Sequence, residues 1–207
     1  MTEEHIIINS GNLKIEGLLE NLSGDKGVVV THPHPFYGGD MYNKVVEEVV
    51  QAYREKEYST LRFNFRGVGS SQGVYDNAIG EQDDVRSALR HLFGLGKRRI
   101  DLAGYSFGAW VNAVGLETFD QINRMIMVSP PVGLLNFESL TLSPKIRLII
   151  AGSHDDIAKV QAIKDVLPSW NPEAILRIIQ DTDYFYWGKT GEIGAIITEF
   201  LDNSLSL

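Results

Sequence analysis

Three features of the sequence predict an α/β fold built on a mostly parallel sheet with helices on both faces. Short apolar runs alternate along the chain with segments whose apolar residues recur at helical spacing, the pattern of repeated strand–helix–strand units. Several of these runs are continuous rather than alternating, as in Gly27-Val28-Val29-Val30-Thr31, which suits strands buried on both faces. Internal repeats and low-complexity segments are absent, so a single domain is expected over residues 1–207.

The elements follow in order. His5 to Asn9 and Leu13 to Leu19 flank Ser10-Gly11-Asn12 and predict a hairpin. After a polar loop comes the Gly27–Thr31 strand, closed by His32-Pro33-His34-Pro35-Phe36-Tyr37-Gly38-Gly39, where two prolines argue against helix. Asp40 is placed to cap a helix whose stripe is Tyr42, Val45, Val46, Val49, Val50 and Tyr53. Thr60 to Phe65 is the next strand, followed by the turn-rich loop Arg66 to Gly73. That loop does not fit a dinucleotide site: the third glycine of Gly-x-Gly-x-x-Gly falls on Gln72, and no helix opens there. Val85, Ala88, Leu89, Leu92 and Phe93 mark a second helix, with Asp83 and Asp84 near its start, where negative charge suits the helix dipole.

Beyond a strand and helix around residue 106, Met125 to Val128 is a strand stopped by Ser129-Pro130-Pro131. Residues 132–144 form only a short connection, which leaves no room for a large lid and predicts a shallow pocket suited to small ligands. Ile146 to Ala151 is a strand. Ile157, Val160, Ile163, Val166 and Leu167 form a helix stripe, Ala174 to Ile179 a last strand, and Trp187 to Leu201 a closing helix.

Composition narrows the function classes. The 207 residues are 43% hydrophobic and 22% charged, enough for a substantial core. A net charge of -8 argues against a nucleic acid partner, since the basic residues are scattered apart from Lys97-Arg98-Arg99. The absence of cysteine excludes a disulfide framework, a thiol nucleophile and a thiolate-held metal, and fits a reducing compartment. The segment Met1-Thr2-Glu3-Glu4-His5 is acidic, and no apolar run approaches the ~18 residues of a membrane span. A cytoplasmic protein with a small-molecule ligand and no membrane partner is expected; a homodimer stays open.

The stretch Ile100 to Trp110 carries the chemistry. A short apolar run enters Gly104-Tyr105-Ser106-Phe107-Gly108, and Ala109, Val111, Ala113 and Val114 follow at spacings of a buried helix. This is the strand–turn–helix context of a nucleophile elbow, in which a serine sits in strained geometry and a Cβ at either glycine would strike a neighbouring element.

With that stretch, the motifs His32-Pro33-His34-Pro35-Phe36-Tyr37-Gly38-Gly39, Arg62 to Ser71 and Gly80-Glu81-Gln82-Asp83-Asp84 occur in an order that resembles the α/β-hydrolase superfamily. Within it the chain is similar to the small lidless group related to dienelactone hydrolases and short-chain esterases, over residues 5–203. The resemblance implies the α/β-hydrolase fold, no cofactor, and a serine hydrolase acting on small esters or related acyl substrates. It implies Ser106 as nucleophile, and an oxyanion hole from the backbone N–H of Phe107 and, because Pro33 and Pro35 have none, of His34, with Phe36 the less favoured donor. The imidazoles of His32 and His34 lack a third ligand at metal spacing, so packing is favoured over a metal. Gly152-Ser153-His154-Asp155 matches the family's acid segment and implies Asp155 as the acid; helix capping by Asp155 or Asp156 is an equal alternative.

The pattern breaks at the base. The family's histidine segment reads here Asp181-Thr182-Asp183-Tyr184-Phe185-Tyr186, so Tyr184 stands at the histidine position, and no histidine follows His154. A serine hydroxyl is a poor nucleophile without a base, and a phenol of pKa ~10 is a poor base at neutral pH. Three readings remain: a degenerate-triad homologue that serves as a binding or partner protein, a hydrolase using His154 as substitute base, or one in which Tyr184 acts as donor or activated phenolate.

Overall fold

The computed structural model describes residues 3–203; Met1 and Thr2 of the N-terminal segment lie outside the described residues. Among these residues, eight strands form one sheet. They are β1 (Glu4–Ser10), β2 (Leu13–Glu20), β3 (Lys26–Thr31), β4 (Ser59–Phe63), β5 (Arg99–Tyr105), β6 (Ile122–Val128), β7 (Ile146–Gly152) and β8 (Ile175–Ile179). Their order across the sheet is β1-β2-β4-β3-β5-β6-β7-β8. The β1–β2 hairpin and the β2–β4 pair are antiparallel, and every pair from β4 to β8 is parallel.

Five helices cover the sheet: α1 (Lys44–Glu55), α2 (Ile79–Gly94), α3 (Phe107–Gly115), α4 (Val160–Trp170) and α5 (Thr190–Asn203). One face packs under α2, α3 and α4 around Leu89, Leu102, Val111 and Ile163. The other packs under α1 and α5 around Val46, Ala103, Ile150 and Ile197. The continuous β-branched run of β3 follows from this, with Val29 in the first core and Val28 and Val30 in the second. Between β6 and β7 no helix is inserted among the described residues, so there is no large lid. No described helix is long and apolar enough to cross a membrane.

Several local expectations change. Asn43, not Asp40, caps α1, its side chain accepting from Val45 N at 2.9 Å. Asp40 instead closes a turn onto Tyr42 N, which leaves Tyr42 outside the helix and exposed. Pro35–Tyr37 forms a single 3₁₀ turn despite its proline, because Pro35 occupies the first position, where an N–H would have no partner anyway. The second helix starts earlier than expected, at Ile79, so Asp84 lies in its second turn. Asp84 is fully buried and bonds Ser10 Oγ at 2.7 Å and the Arg66 guanidinium at 2.8 Å and 3.0 Å; it ties a loop to a helix rather than serving a dipole. The last helix begins at Thr190 because Tyr186 and Gly188 both have positive φ, which helix excludes.

Candidate active site

The Ser106 backbone has φ 55° and ψ -115°, a conformation that costs a non-glycine residue on the order of 1–3 kcal/mol. The strain has a geometric cause: β5 ends at Tyr105, α3 begins at Phe107, and one residue must reverse the chain between them. A Cβ on Gly104 would meet Ala109 N at 2.6 Å, and one on Gly108 would meet Thr31 Oγ1 at 2.6 Å and its carbonyl oxygen at 2.7 Å. The elbow expected from the sequence is therefore present, with Ser106 nearly buried at the end of the central strand.

The loop after β3 lies beside it, the His34 ring 4.8 Å from that of Phe107. Phe36 N donates to His34 Nδ1 at 3.2 Å, which engages the less favoured oxyanion donor and puts the ring proton of a neutral His34 on Nε2. Burial lowers the pKa of His34. The N–H of Phe107 opens α3, where no carbonyl of its own helix can reach it. His32 is fully buried and its pKa is pushed down to about 4 by desolvation. Its ring pairs with Pro33 O at 2.7 Å and accepts from Phe65 N at 3.0 Å, so both nitrogens are engaged in packing the loop.

Asp155 follows β7 and is 4% exposed. Its Oδ1 accepts from Ile157 N at 2.9 Å and Ala158 N at 2.6 Å, and its Oδ2 from Ser129 Oγ at 2.7 Å. Asp155 thus closes a turn ahead of α4 rather than capping it: the helix N-cap is Lys159, with no side-chain bond, so the helix-capping alternative is not borne out. Ser129 Oγ in turn lies 2.6 Å from the hydroxyl of the fully buried Tyr186. Both residues have positive φ, 43° and 55°. Neither was anticipated: Ser129-Pro130-Pro131 reads only as a strand stop, and Tyr186 as one aromatic among four.

Tyr184 is brought to Ser106. The loop that carries it presses so closely on the end of β7 that a Cβ on Gly152 would lie 2.5 Å from Thr182 O. The Tyr184 ring stacks on Tyr105 at 5.2 Å and 29°, and Tyr105 Oη donates to the Tyr184 carbonyl at 2.7 Å. Burial raises the Tyr184 pKa most; interaction with the neighbouring Ser106 and Tyr105 hydroxyls lowers it, and the Asp155 charge raises it further. The net direction is upward, so the phenol keeps its proton at neutral pH. His154 is exposed, its N–H bonded to Thr182 O at 2.9 Å, and it is absent from the cavity wall. A cavity of about 400 Å³ lies beside the elbow, lined by His34, Tyr37, Tyr105, Leu134, Tyr184 and Phe185 among others; Ser106 itself is not in its wall.

The comparisons agree with this architecture. No family model matches the sequence. An uncharacterized protein of Rickettsia prowazekii is 32% identical over 95% of this chain and 87% of its own length. The structure of an α/β serine hydrolase homologue from Coxiella burnetii is 31% identical, with a TM-score of 0.89 over 97% of this chain and 98% of that one. A lidless α/β serine hydrolase from Xanthomonas campestris is 28% identical, with a TM-score of 0.88 over 98% of this chain and 95% of that one. With the elbow at the end of β5, the strand order and no inserted lid, these similarities make the chain a member of the α/β serine hydrolase family.

Proposed function

We propose that this chain is a catalytically impaired family member that binds a small acyl or carbonyl ligand in the cavity beside the elbow, between His34, Tyr105 and Tyr184, without turning it over. The observation that carries this reading is Tyr184: a phenol held protonated by burial and by the Asp155 charge occupies the place of the general base. Ser106 then has a hydrogen-bonding partner but no group to take its proton, and general-base assistance is worth ~10²- to 10⁴-fold in rate. The cavity beside the elbow has aromatic and apolar walls together with the Tyr105 and Tyr184 rings, suited to a small acyl or carbonyl ligand next to Ser106.

A second reading, a slow hydrolase of small esters, is favoured by the strain retained at Ser106, since strained backbone tends to persist where it serves chemistry. Covalent labelling by a fluorophosphonate separates the two. The impaired-binder reading expects no Ser106 adduct over hours by intact-protein mass spectrometry. Rapid labelling that Ser106→Ala abolishes would overturn it in favour of the hydrolase.

A further inference from the structure

The sheet carries two register irregularities, on adjacent parallel pairs where bulges are rare. Between β5 and β6, Ile100 faces Ile122 while Asp101 faces Arg124, so Asn123 is the extra residue. Between β6 and β7, Met125 faces Ile146 while Ile126 faces Leu148, so Arg147 is the extra residue. Both extra residues line the same cavity of about 470 Å³, together with Arg124, Arg177, Leu148 and Phe200. This cavity lies at the N-terminal ends of β6 and β7 beside α5, whereas Ser106 follows their C-terminal side. Four residues of β6, roughly 13 Å, separate Arg124 from the strand end beside Tyr105.

The charge of this corner runs against that of the molecule. Acidic residues outnumber basic ones 27 to 19 in the chain, yet three arginines and no carboxylate line the cavity. Arg124 is held rigidly: its Nε and Nη2 bond the buried Asp101 at 2.7–3.1 Å, Nη2 also reaches Tyr58 Oη at 2.8 Å, and its guanidinium lies 5.4 Å from the Phe200 ring. Its Nη1 makes none of these bonds. Among the described residues Arg177 pairs only with the exposed Glu199, at 3.4 Å. Arg147 is half-buried, and its side chain has no hydrogen bond or ion pair among the described residues.

We propose that the cavity formed by the Asn123 and Arg147 bulges is a second ligand site, which takes a small organic oxyanion: a carboxylate or phosphate head between Arg124, Arg147 and Arg177, with an apolar body against Leu148 and Phe200. Guanidinium groups match planar and tetrahedral oxyanions with paired donors, and a fixed guanidinium loses little freedom on binding. A bulge re-aims a side chain and bends its strand locally, which accounts for residues of two neighbouring strands serving one cavity.

The test is a titration of ¹⁵N-labelled protein with phenyl phosphate and with benzoate, using benzamide as the uncharged control. Saturable shifts at Asn123, Arg147 and Arg177, absent with benzamide and weakened at least ~10-fold in Arg147→Ala but less in Arg147→Lys, are expected. The better of the two anions identifies the head group. Shifts confined to the Ser106 cavity, equal binding of benzamide, or an Arg147→Ala variant that binds like wild type would each overturn the proposal. If Arg147→Ala does not fold, the wild-type shift map and the benzamide comparison decide. The readout is independent of Ser106 labelling, so this site and the proposed function fail separately.

Discussion

The Ser129 hydroxyl donates to Asp155 Oδ2 at 2.7 Å, and it is the only side chain among the described residues that bonds this carboxylate. A carboxylate has about four lone-pair positions. Two backbone N–H groups and Ser129 fill three, which leaves one for a further donor. The Asp155 carboxylate is therefore well satisfied by these donors, with one position open to a further one.

That remaining position leads to the first prediction. Tyr184→His should place an imidazole between the open lone pair of Asp155 and the Ser106 hydroxyl, raising hydrolysis of p-nitrophenyl acetate by ~10²- to 10⁴-fold over wild type. The gain should vanish in the Tyr184→His/Ser106→Ala double variant. A well-folded single variant with no gain would mean that the loop has moved beyond reach, since misplacement by about an ångström can cost ~100-fold.

Removing Ser129 should destabilise the fold. Ser129→Ala leaves Tyr186 Oη without its 2.6 Å partner and deprives Asp155 of a donor in a dry setting, a loss of about 1–3 kcal/mol in urea unfolding. Tyr186→Phe should cost less, and the double variant should fall short of the sum because the two share one network. Strict additivity would show that the chain from Asp155 to Tyr186 is not energetically coupled.

His32 predicts how stability depends on pH. Its folded pKa of about 4 lies below the ordinary value of 6.5, so between these values the unfolded chain binds more protons. Stability from this group is complete above pH 6.5 and is lost as pH falls toward 4, by up to about 3 kcal/mol. Chemical denaturation between pH 7.5 and 5 should show this slope, and His32→Gln should flatten it, because an amide does not titrate there yet can still donate to Pro33 O and accept from Phe65 N. An unchanged slope would place the titration elsewhere.

Gly108→Ala should destabilise by about 1–3 kcal/mol, because its Cβ would lie 2.6–2.7 Å from Thr31, whose backbone is fixed in the sheet centre. Thermal unfolding of the variant should begin several degrees lower. Wild-type behaviour would mean that α3 shifts freely away from β3.

What the sequence by itself determined is what local chemistry encodes. Continuous β-branched runs and helical stripes lead to the order of strands and helices, and Gly104 and Gly108 around Ser106 lead to the elbow, because tight turns and buried faces restrict residue type position by position. That position 184 holds a tyrosine where the resemblance expects a histidine was legible from the sequence directly. The tertiary structure alone decided which groups meet across distant segments. Asp84 joins Arg66 and Ser10, Ser129 joins Asp155 and Tyr186, and His154 faces solvent rather than Ser106. The direction of the Tyr184 pKa also belongs to this level, since it depends on burial and on the Asp155 charge. So do the Asn123 and Arg147 bulges: a register shift is a property of two paired strands, and neither strand's own sequence contains it.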